Sequence, residues 1–504
     1  MTGPANPSPA ALAQLRRVDD TIRAADFATA RRLLEACLEH APGLTAARQR
    51  YATLLLQHFG DPAGAAAQAA KLLAAEPKNA AYRAFRAAAL GQLGDYDAAI
   101  ADYEAALALA PEDARLWLQL GHALKTAGRA DGAVAAYRMS LTFKPGGEAW
   151  WSLADLKTVR FSAADVAAMR GLVQSALPPA ERAALHFALG KALEDDGDAA
   201  SAFAQYDMGN ALKRSTLRYD AGELTAYVAR ARTLFTPAFF AARAGLGSTA
   251  ADPIFIVGLP RSGSTLVEQI LASHSAIEGT MELADMIAVA REAMGPGPFD
   301  FNAYPGALAD LDGERLRTLG EAYLARTRVY RRAARPYFID KMPNNFVHVG
   351  LIQLILPNAK IVDVRRHPLA CGLSAYKQNF AAGQPFSYGL GDLGRYYADY
   401  VRLMAHLDAV LPGRIHRVIY EDLVADPEGE VRRLLAYCGV GFEPGCLRFH
   451  ENRRAVRTAS AEQVRRPIST AGLESWRPFE PWLGPLKSAL GPVLEDWRGG
   501  SGDF

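Results

Sequence analysis

Pro77, Pro111 and Pro145 stand 34 residues apart, and the same step separates Gly60, Gly94 and Gly128 and again Ala65, Ala99 and Ala133. Tyr103 and Tyr137 keep it too. A period of this length means one supersecondary unit repeated, each copy burying its apolar face only by stacking on its neighbours. Within a unit the glycine ends a first helix and the small alanine lets a second helix pack closely against it. The proline stops the second helix, which it cannot continue. The first half of the chain is therefore expected to be an all-α solenoid. Asp26–Pro42 fits an earlier unit with a one-residue slip. Leu189, Gly190, Gly197, Ala202 and Tyr206 fit a later one, and Ala149–Leu156 opens a unit whose second helix is degenerate. This predicts about five or six units over residues 10–216.

The period, with Trp117, Leu120, Gly121 and Leu124 in a first helix, resembles the tetratricopeptide repeat. That resemblance implies a concave face that binds peptide or an array that serves assembly alone, and the residues leave both open. Trp117, Trp150 and Trp151 are read as core. From Leu217 to Leu246 the pattern stays helical but loses its period, and Gly245–Asp252 has linker composition. Residues 217–250 are thus a helical linker and residues 251–495 a second domain.

A chain of 504 residues is too long for one compact core. The net charge of +2 gives no global field toward nucleic acid or a membrane surface. Met1–Leu15 lacks a basic region followed by an apolar run, and no stretch reaches the roughly 18 apolar residues of a membrane span. The four cysteines, Cys37, Cys371, Cys438 and Cys446, form no C-x-x-C pair and no zinc-spaced cluster. Reduced thiols, a cytoplasmic location and no metal are expected.

The second domain opens on Pro253–Glu282. Ile254–Val257 is a short β-branched apolar run, read as a buried parallel strand. Gly258–Thr265 (GLPRSGST) is a turn, and Leu266, Ile270 and Leu271 then recur at helical spacing. In a strand–glycine turn–helix unit, backbone N–H groups and a helix N-terminus face an anion. Gly258 and Gly263 match the two glycines of a nucleotide P-loop, but Ser264 and Thr265 stand where that loop needs lysine and Ser/Thr. With Arg261 inside it, this P-loop-like turn suits an anion better than ATP and magnesium.

Further along, Glu282 lies where the chain returns toward the turn and is a candidate general base, with Glu278 and Glu268 as competitors. Glu268 is read as solvated on its helix. Tyr337–Lys341 is a strand with a lysine at its end, the edge at which open α/β sheets bind ligands. Lys360–Val364 is another strand, followed by Arg366 at its end and Ser374 two turns into a helix, eight residues on. An arginine fork plus a hydroxyl suits a phosphate monoester, and the spacing selects Arg366 over Arg365. A last strand, His416–Tyr420, leads into Tyr420-Glu421-Asp422-Leu423, with Asp422 and Asp426 read as helix caps. Six arginines lie between Arg448 and Arg466, and Ser460–Pro467 (SAEQVRRP) precedes Trp476.

Taken together and in this order, these segments resemble the sulfotransferases that use 3′-phosphoadenosine 5′-phosphosulfate (PAPS), nearest the tyrosylprotein type, over residues 250–480. The whole chain resembles bacterial proteins that fuse tetratricopeptide repeats to such a domain. The resemblance implies an α/β domain with a parallel sheet and a phosphosulfate-binding turn. It implies that Arg261, Ser262, Gly263, Ser264 and Thr265 hold the 5′-phosphosulfate. Arg366 and Ser374 hold the 3′-phosphate and Tyr420 contacts the nucleotide. Glu282 is the base, and Lys341 and Ser460 stabilise charge on the bridging oxygen, without a metal. Two departures stand out. The tyrosylprotein type has Glu-Glu-Thr-Arg where this chain has Met281-Glu282-Leu283-Ala284, so the arginine that helps receive an acidic tyrosine peptide is absent. A lysine before the late tryptophan is Ser475 here, so one nucleotide contact is either lost or moved to Arg465, Arg466 or Arg477. The expected reaction is sulfuryl transfer to a hydroxyl of a protein or peptide, tyrosine included, recruited by the repeats. A small-molecule or glycan acceptor is the alternative, and a repeat scaffold with an inactive nucleotide domain is the alternative of another class.

Overall fold

The computed structural model describes residues 9–295 and 297–499. The chain packs as two compact units, Met1–Pro145 and Gly146–Phe504.

The first unit is a run of antiparallel helix pairs: Pro9–Arg23 with Phe27–His40, Thr45–Gln57 with Pro62–Ala75, Ala80–Gln92 with Tyr96–Leu107, and Ala114–Ala127 with Ala130–Phe143. The 34-residue pattern has a direct physical basis. Gly60, Gly94 and Gly128 take positive φ values of 59°, 79° and 78° at the ends of first helices, a left-handed turn that a side chain would strain. Asp26, Asp61 and Asp95 then cap the second helices by accepting the N–H groups of Thr29, Gly64 and Ala98. Ala65, Ala99 and Ala133 are fully buried at the helix contact. Gly121 lies under the Tyr137 ring, where a Cβ would come within 2.4 Å of it.

The second unit begins with the helices Gly147–Asp155 and Ala163–Val173, each packed on Pro179–Asp195, and with the pair Pro179–Asp195 and Ala199–Ser215. The last of these repeats the design: a Cβ on Gly190 would meet the Tyr206 ring at 2.6 Å. The helix Ala221–Leu234 follows, and then the sheet domain. These helices therefore pack in the same compact unit as the sheet.

The sheet is parallel throughout, as expected. Its strands are β1 (Pro253–Gly258), β2 (Ile277–Gly279), β3 (Tyr337–Lys341), β4 (Lys360–Arg365) and β5 (Ile415–Ile419), in the order β2-β3-β1-β4-β5. Successive β1 side chains point to opposite faces. Phe255 and Val257 enter one core with the helix Leu390–Val410; Ile254 and Ile256 enter another with the helices Ser264–Ala272 and Pro427–Cys438. Both faces are thus covered, which is why the strands read as unbroken apolar runs. The register aligns Ile256 with Lys341, Gly258 with Val364, and Arg365 with Ile419. The C-terminal ends of four strands therefore meet along one edge on either side of β1, the place where such sheets hold ligands. The four cysteines are buried free thiols. Among the described residues no helix is long and apolar enough to cross a membrane.

Candidate functional site

The turn after β1 is built so that only certain residues fit. Gly258 has φ +145° and a Cβ there would lie 2.5 Å from the Val364 carbonyl oxygen. Gly263 has φ +102° and a Cβ would lie 2.6 Å from the Tyr420 ring. Between them Arg261 is held at φ +73°, a left-handed conformation that costs a non-glycine residue free energy. The helix Ser264–Ala272 starts immediately after, with Ser264 and Thr265 in its buried first turn. Thr265 Oγ1 lies 3.2 Å from Thr458 Oγ1. Ser262 is buried, and its Oγ has no protein partner.

Two guanidinium groups meet beside this turn. Arg261 directs Nε to Ser374 Oγ at 3.0 Å, Nη1 to Ser460 Oγ and Nη2 to Gln463 Oε1 at 3.1 Å. These partners are all neutral. Burial pushes the Arg261 pKa down from the usual arginine range; the charge of Asp155 opposes that shift and the charge of Arg366 adds to it. Arg366 donates to the Gly472 and Arg261 carbonyls and lies over the Tyr420 ring at 4.9 Å. Its Nε is buried without a partner. Arg365, next in sequence, points into the core instead, where it pairs with Asp363 at 2.8 Å and donates to the Trp497 carbonyl at 2.7 Å. Arg261, Gly263, Thr265, Arg366, Ser374, Tyr420 and Ser460 line one cavity of about 500 Å³.

Glu282 and Lys341 are not among the residues lining that cavity. They form an ion pair with each other at the end of β3, Lys341 buried and Glu282 partly exposed. Lys341 Nζ is also 4.0 Å from Glu268 Oε2. Glu268 corrects the sequence expectation of a solvated carboxylate: it is 2% exposed and pairs with Arg454 at 2.6 Å. The helix that carries it is buried over all nine residues, because the strands cover one side and the segment Pro444–Arg465 covers the other. Helical periodicity alone does not reveal a second cover. Glu278 lies in β2 and accepts the Ala333 N–H at 2.6 Å. Asp426 caps the helix Pro427–Cys438, whereas Asp422 pairs with Arg498 at 2.9 Å.

Several cavity residues carried no role in the sequence reading. Gln463 lies in the quoted SAEQVRRP segment and reaches Arg261. Of the three arginines near Ser475, Arg466 lines the cavity with Ser475 itself, while Arg477 pairs with Glu474 at 2.8 Å. Trp476 stacks on His367, the ring centroids 5.2 Å apart. Trp150 is buried as core, but Trp151 lines the cavity together with Lys157 and Lys191, and Lys377 joins them from the far side. No spacing in the sequence relates the repeat residues to Arg261.

Comparison with known proteins places this geometry. Residues 253–444 match the model of the sulfotransferase family, and residues 86–148 match the tetratricopeptide repeat. An uncharacterized protein of Aquifex aeolicus is 35% identical over 324 residues, which is 62% of this chain and 42% of that protein. A Caenorhabditis briggsae protein named "Putative protein-tyrosine sulfotransferase" is 24% identical over 231 residues, 44% of this chain and 80% of its own. An omega-hydroxy-beta-dihydromenaquinone-9 sulfotransferase of Mycobacterium tuberculosis is 32% identical over 117 residues, 21% of this chain and 30% of its own. The chain thus spans less than half the length of the Aquifex relative.

Proposed function

For a chain that carries a sulfotransferase-family domain together with tetratricopeptide repeats, we propose sulfuryl transfer from PAPS to a hydroxyl acceptor. The observation that carries this reading is the pair of guanidinium groups of half-buried Arg261 and buried Arg366. They share one cavity with the hydroxyls of Ser374 and Ser460, and among the described residues neither donates a hydrogen bond to a carboxylate. Two cations withdrawn from solvent with neutral partners are poised for an anion. The buried, unpartnered Arg366 Nε fits such a ligand, since buried polar groups ordinarily have partners; Ser262 Oγ, likewise unpartnered, lies in the turn but outside the cavity lining.

PAPS, when bound, supplies the sulfuryl group and a phosphate leaving group. Arg261, Ser262, Gly263, Ser264 and Thr265 hold its 5′-phosphosulfate, with the start of the helix Ser264–Ala272 favouring negative charge. Arg366 and Ser374 hold the 3′-phosphate, and Tyr420 supports Arg366 from below. Lys341 and Ser460 stabilise negative charge on the leaving oxygen. Glu282 removes the proton from the acceptor hydroxyl. The ion pair with Lys341 fixes the Glu282 carboxylate in the partly exposed position from which it meets an acceptor.

The acceptor we favour is a protein or peptide hydroxyl, tyrosine included, brought by the repeats. The resemblance to a protein-tyrosine sulfotransferase over 44% of the chain supports that class. The test is transfer of labelled sulfate from PAPS to a panel containing a tyrosine peptide, a simple phenol and a glycan. Transfer to the peptide is expected. Transfer only to a small phenol or the glycan moves the acceptor class. No transfer to any of the three, with bisphosphate nucleotide bound, supports the scaffold reading.

A further inference from the structure

The cavity is not confined to the sheet domain. Trp151 and Ala154 lie on the helix Gly147–Asp155, Lys157 just past its end, Lys191 and Glu194 on Pro179–Asp195, and Tyr206 on Ala199–Ser215. Hydrogen bonds tie these helices to the elements that carry the candidate site residues. Gln378 donates to Asp155 at 2.9 Å and Lys377 to Glu194 at 2.6 Å. The Tyr376 hydroxyl donates to Asp207 at 2.6 Å, and buried Asn210 donates to the Tyr376 carbonyl at 2.9 Å. All four fall on or just after the helix Pro368–Tyr376, which carries Ser374. Lys157 reaches the other side of the site: its Nζ donates to the Ala459 carbonyl at 2.7 Å, next to Ser460.

Lys157 also has an unusual backbone. Its φ is +60°, where elsewhere in the repeats Gly60, Gly94, Gly128 and Gly197, and in the first turn Ala25, occupy left-handed turns. Glycine adopts that conformation without strain and lysine does not. Ending the helix therefore does not require a lysine, and the lysine side chain faces the cavity. Lys157, Lys191, Arg261, Arg366, Lys377 and Arg466 line it; Glu194, the one acidic lining residue, pairs with Lys377, and Lys191 pairs with Asp195. Such an excess of cations suits a ligand with several negative charges.

Resting on the sulfotransferase reading, we propose that the helices over residues 147–215 form a wall of the nucleotide pocket and that Lys157 is an anion-binding residue for a 3′,5′-bisphosphorylated adenosine nucleotide. Lys157 both places its positive charge at the cavity and holds the segment that carries Ser460. The last repeats then belong to the donor site, and recruitment of an acceptor falls to the repeats before them.

The test titrates the full chain and its variants Lys157→Met, Lys157→Gly and Lys157→Arg with 3′-phosphoadenosine 5′-phosphate, and measures thermal stability alongside. Lys157→Met and Lys157→Gly are expected to weaken binding about tenfold, the size of one hydrogen bond to a charged group. Lys157→Gly is expected to melt no lower than the parent, because glycine accepts the left-handed turn. Lys157→Arg is expected to recover most of the affinity. Unchanged affinity in the Met and Gly variants overturns the inference. So does an arginine variant as weak as the methionine one, which would show that charge is not what the position supplies. If the parent chain itself fails to bind the bisphosphate, the functional reading falls first and the inference with it.

Discussion

Replacing Arg366 by alanine separates ligand binding from folding. In the folded chain Arg366 makes a bond to the Gly472 carbonyl, a long bond of 3.4 Å to the Arg261 carbonyl and a cation–π contact with Tyr420 at 4.9 Å. A cation–π contact contributes about 0.5–2 kcal/mol and a hydrogen bond from a charged group about 1.5–3 kcal/mol. Against these stand the buried, unpartnered Nε and the repulsion from the Arg261 charge. The terms oppose one another, so stability is expected to change by only about 1 kcal/mol, within the common range for single substitutions. Binding has no such offset. Losing the charged donor to the 3′-phosphate removes about 1.5–3 kcal/mol, or roughly 10- to 150-fold in Kd at 1.4 kcal/mol per decade. The assay is isothermal titration of Arg366→Ala with 3′-phosphoadenosine 5′-phosphate and with AMP, which lacks the 3′-phosphate. The bisphosphate is expected to lose that factor and AMP very little. An equal loss for both nucleotides, or none for either, refutes the assignment.

Three further outcomes follow from the same geometry. Glu282→Ala is expected to abolish transfer while leaving bisphosphate affinity within about threefold, since a base acts on the acceptor; full transfer activity in this variant removes Glu282 from that role. Glu268→Gln leaves the buried Lys341 and Arg454 without their shared carboxylate and is expected to lower stability in urea by about 3 kcal/mol, the low end for breaking a buried ion pair; a loss under about 1 kcal/mol contradicts the network. Asp340, buried beside Tyr323, has its pKa pushed up from 3.8 to about 8 by desolvation. Its folded form is therefore protonated, so its stabilising contribution is complete below about pH 4 and is lost as pH rises toward 8. Asp340→Asn is expected to melt with a flatter pH dependence than the parent between pH 5 and 9, and parallel melting curves across that range refute the reading.

Much of the architecture is legible because its causes are local. The repeat period records left-handed glycines, aspartate caps and buried alanines, all fixed within a few residues of one another. The main strands read out as apolar runs, and Ile254–Val257 and Lys360–Val364 each differ from β1 and β4 only at the ends. β2 escaped notice because three residues with one buried apolar side chain carry no periodicity. At the site, the residues of the turn and of the Arg366–Ser374 pair stand out because their spacing is local. Glu268 and Trp151, read as solvated and as core, and Lys157, which stands out in no pattern, are obscure for the opposite reason. What surrounds them comes from segments more than a hundred residues away, Arg454 for Glu268 and Ala459 for Lys157.

The turn after β1, with Arg261 and Arg366, is proposed to hold a phosphosulfate nucleotide rather than a nucleoside triphosphate. Isothermal titration of the unaltered chain with 3′-phosphoadenosine 5′-phosphate, beside ATP with magnesium, tests it directly. Micromolar binding of the bisphosphate and far weaker binding of ATP are expected. Equal or tighter binding of ATP, or no binding of the bisphosphate by a folded chain, contradicts the assignment.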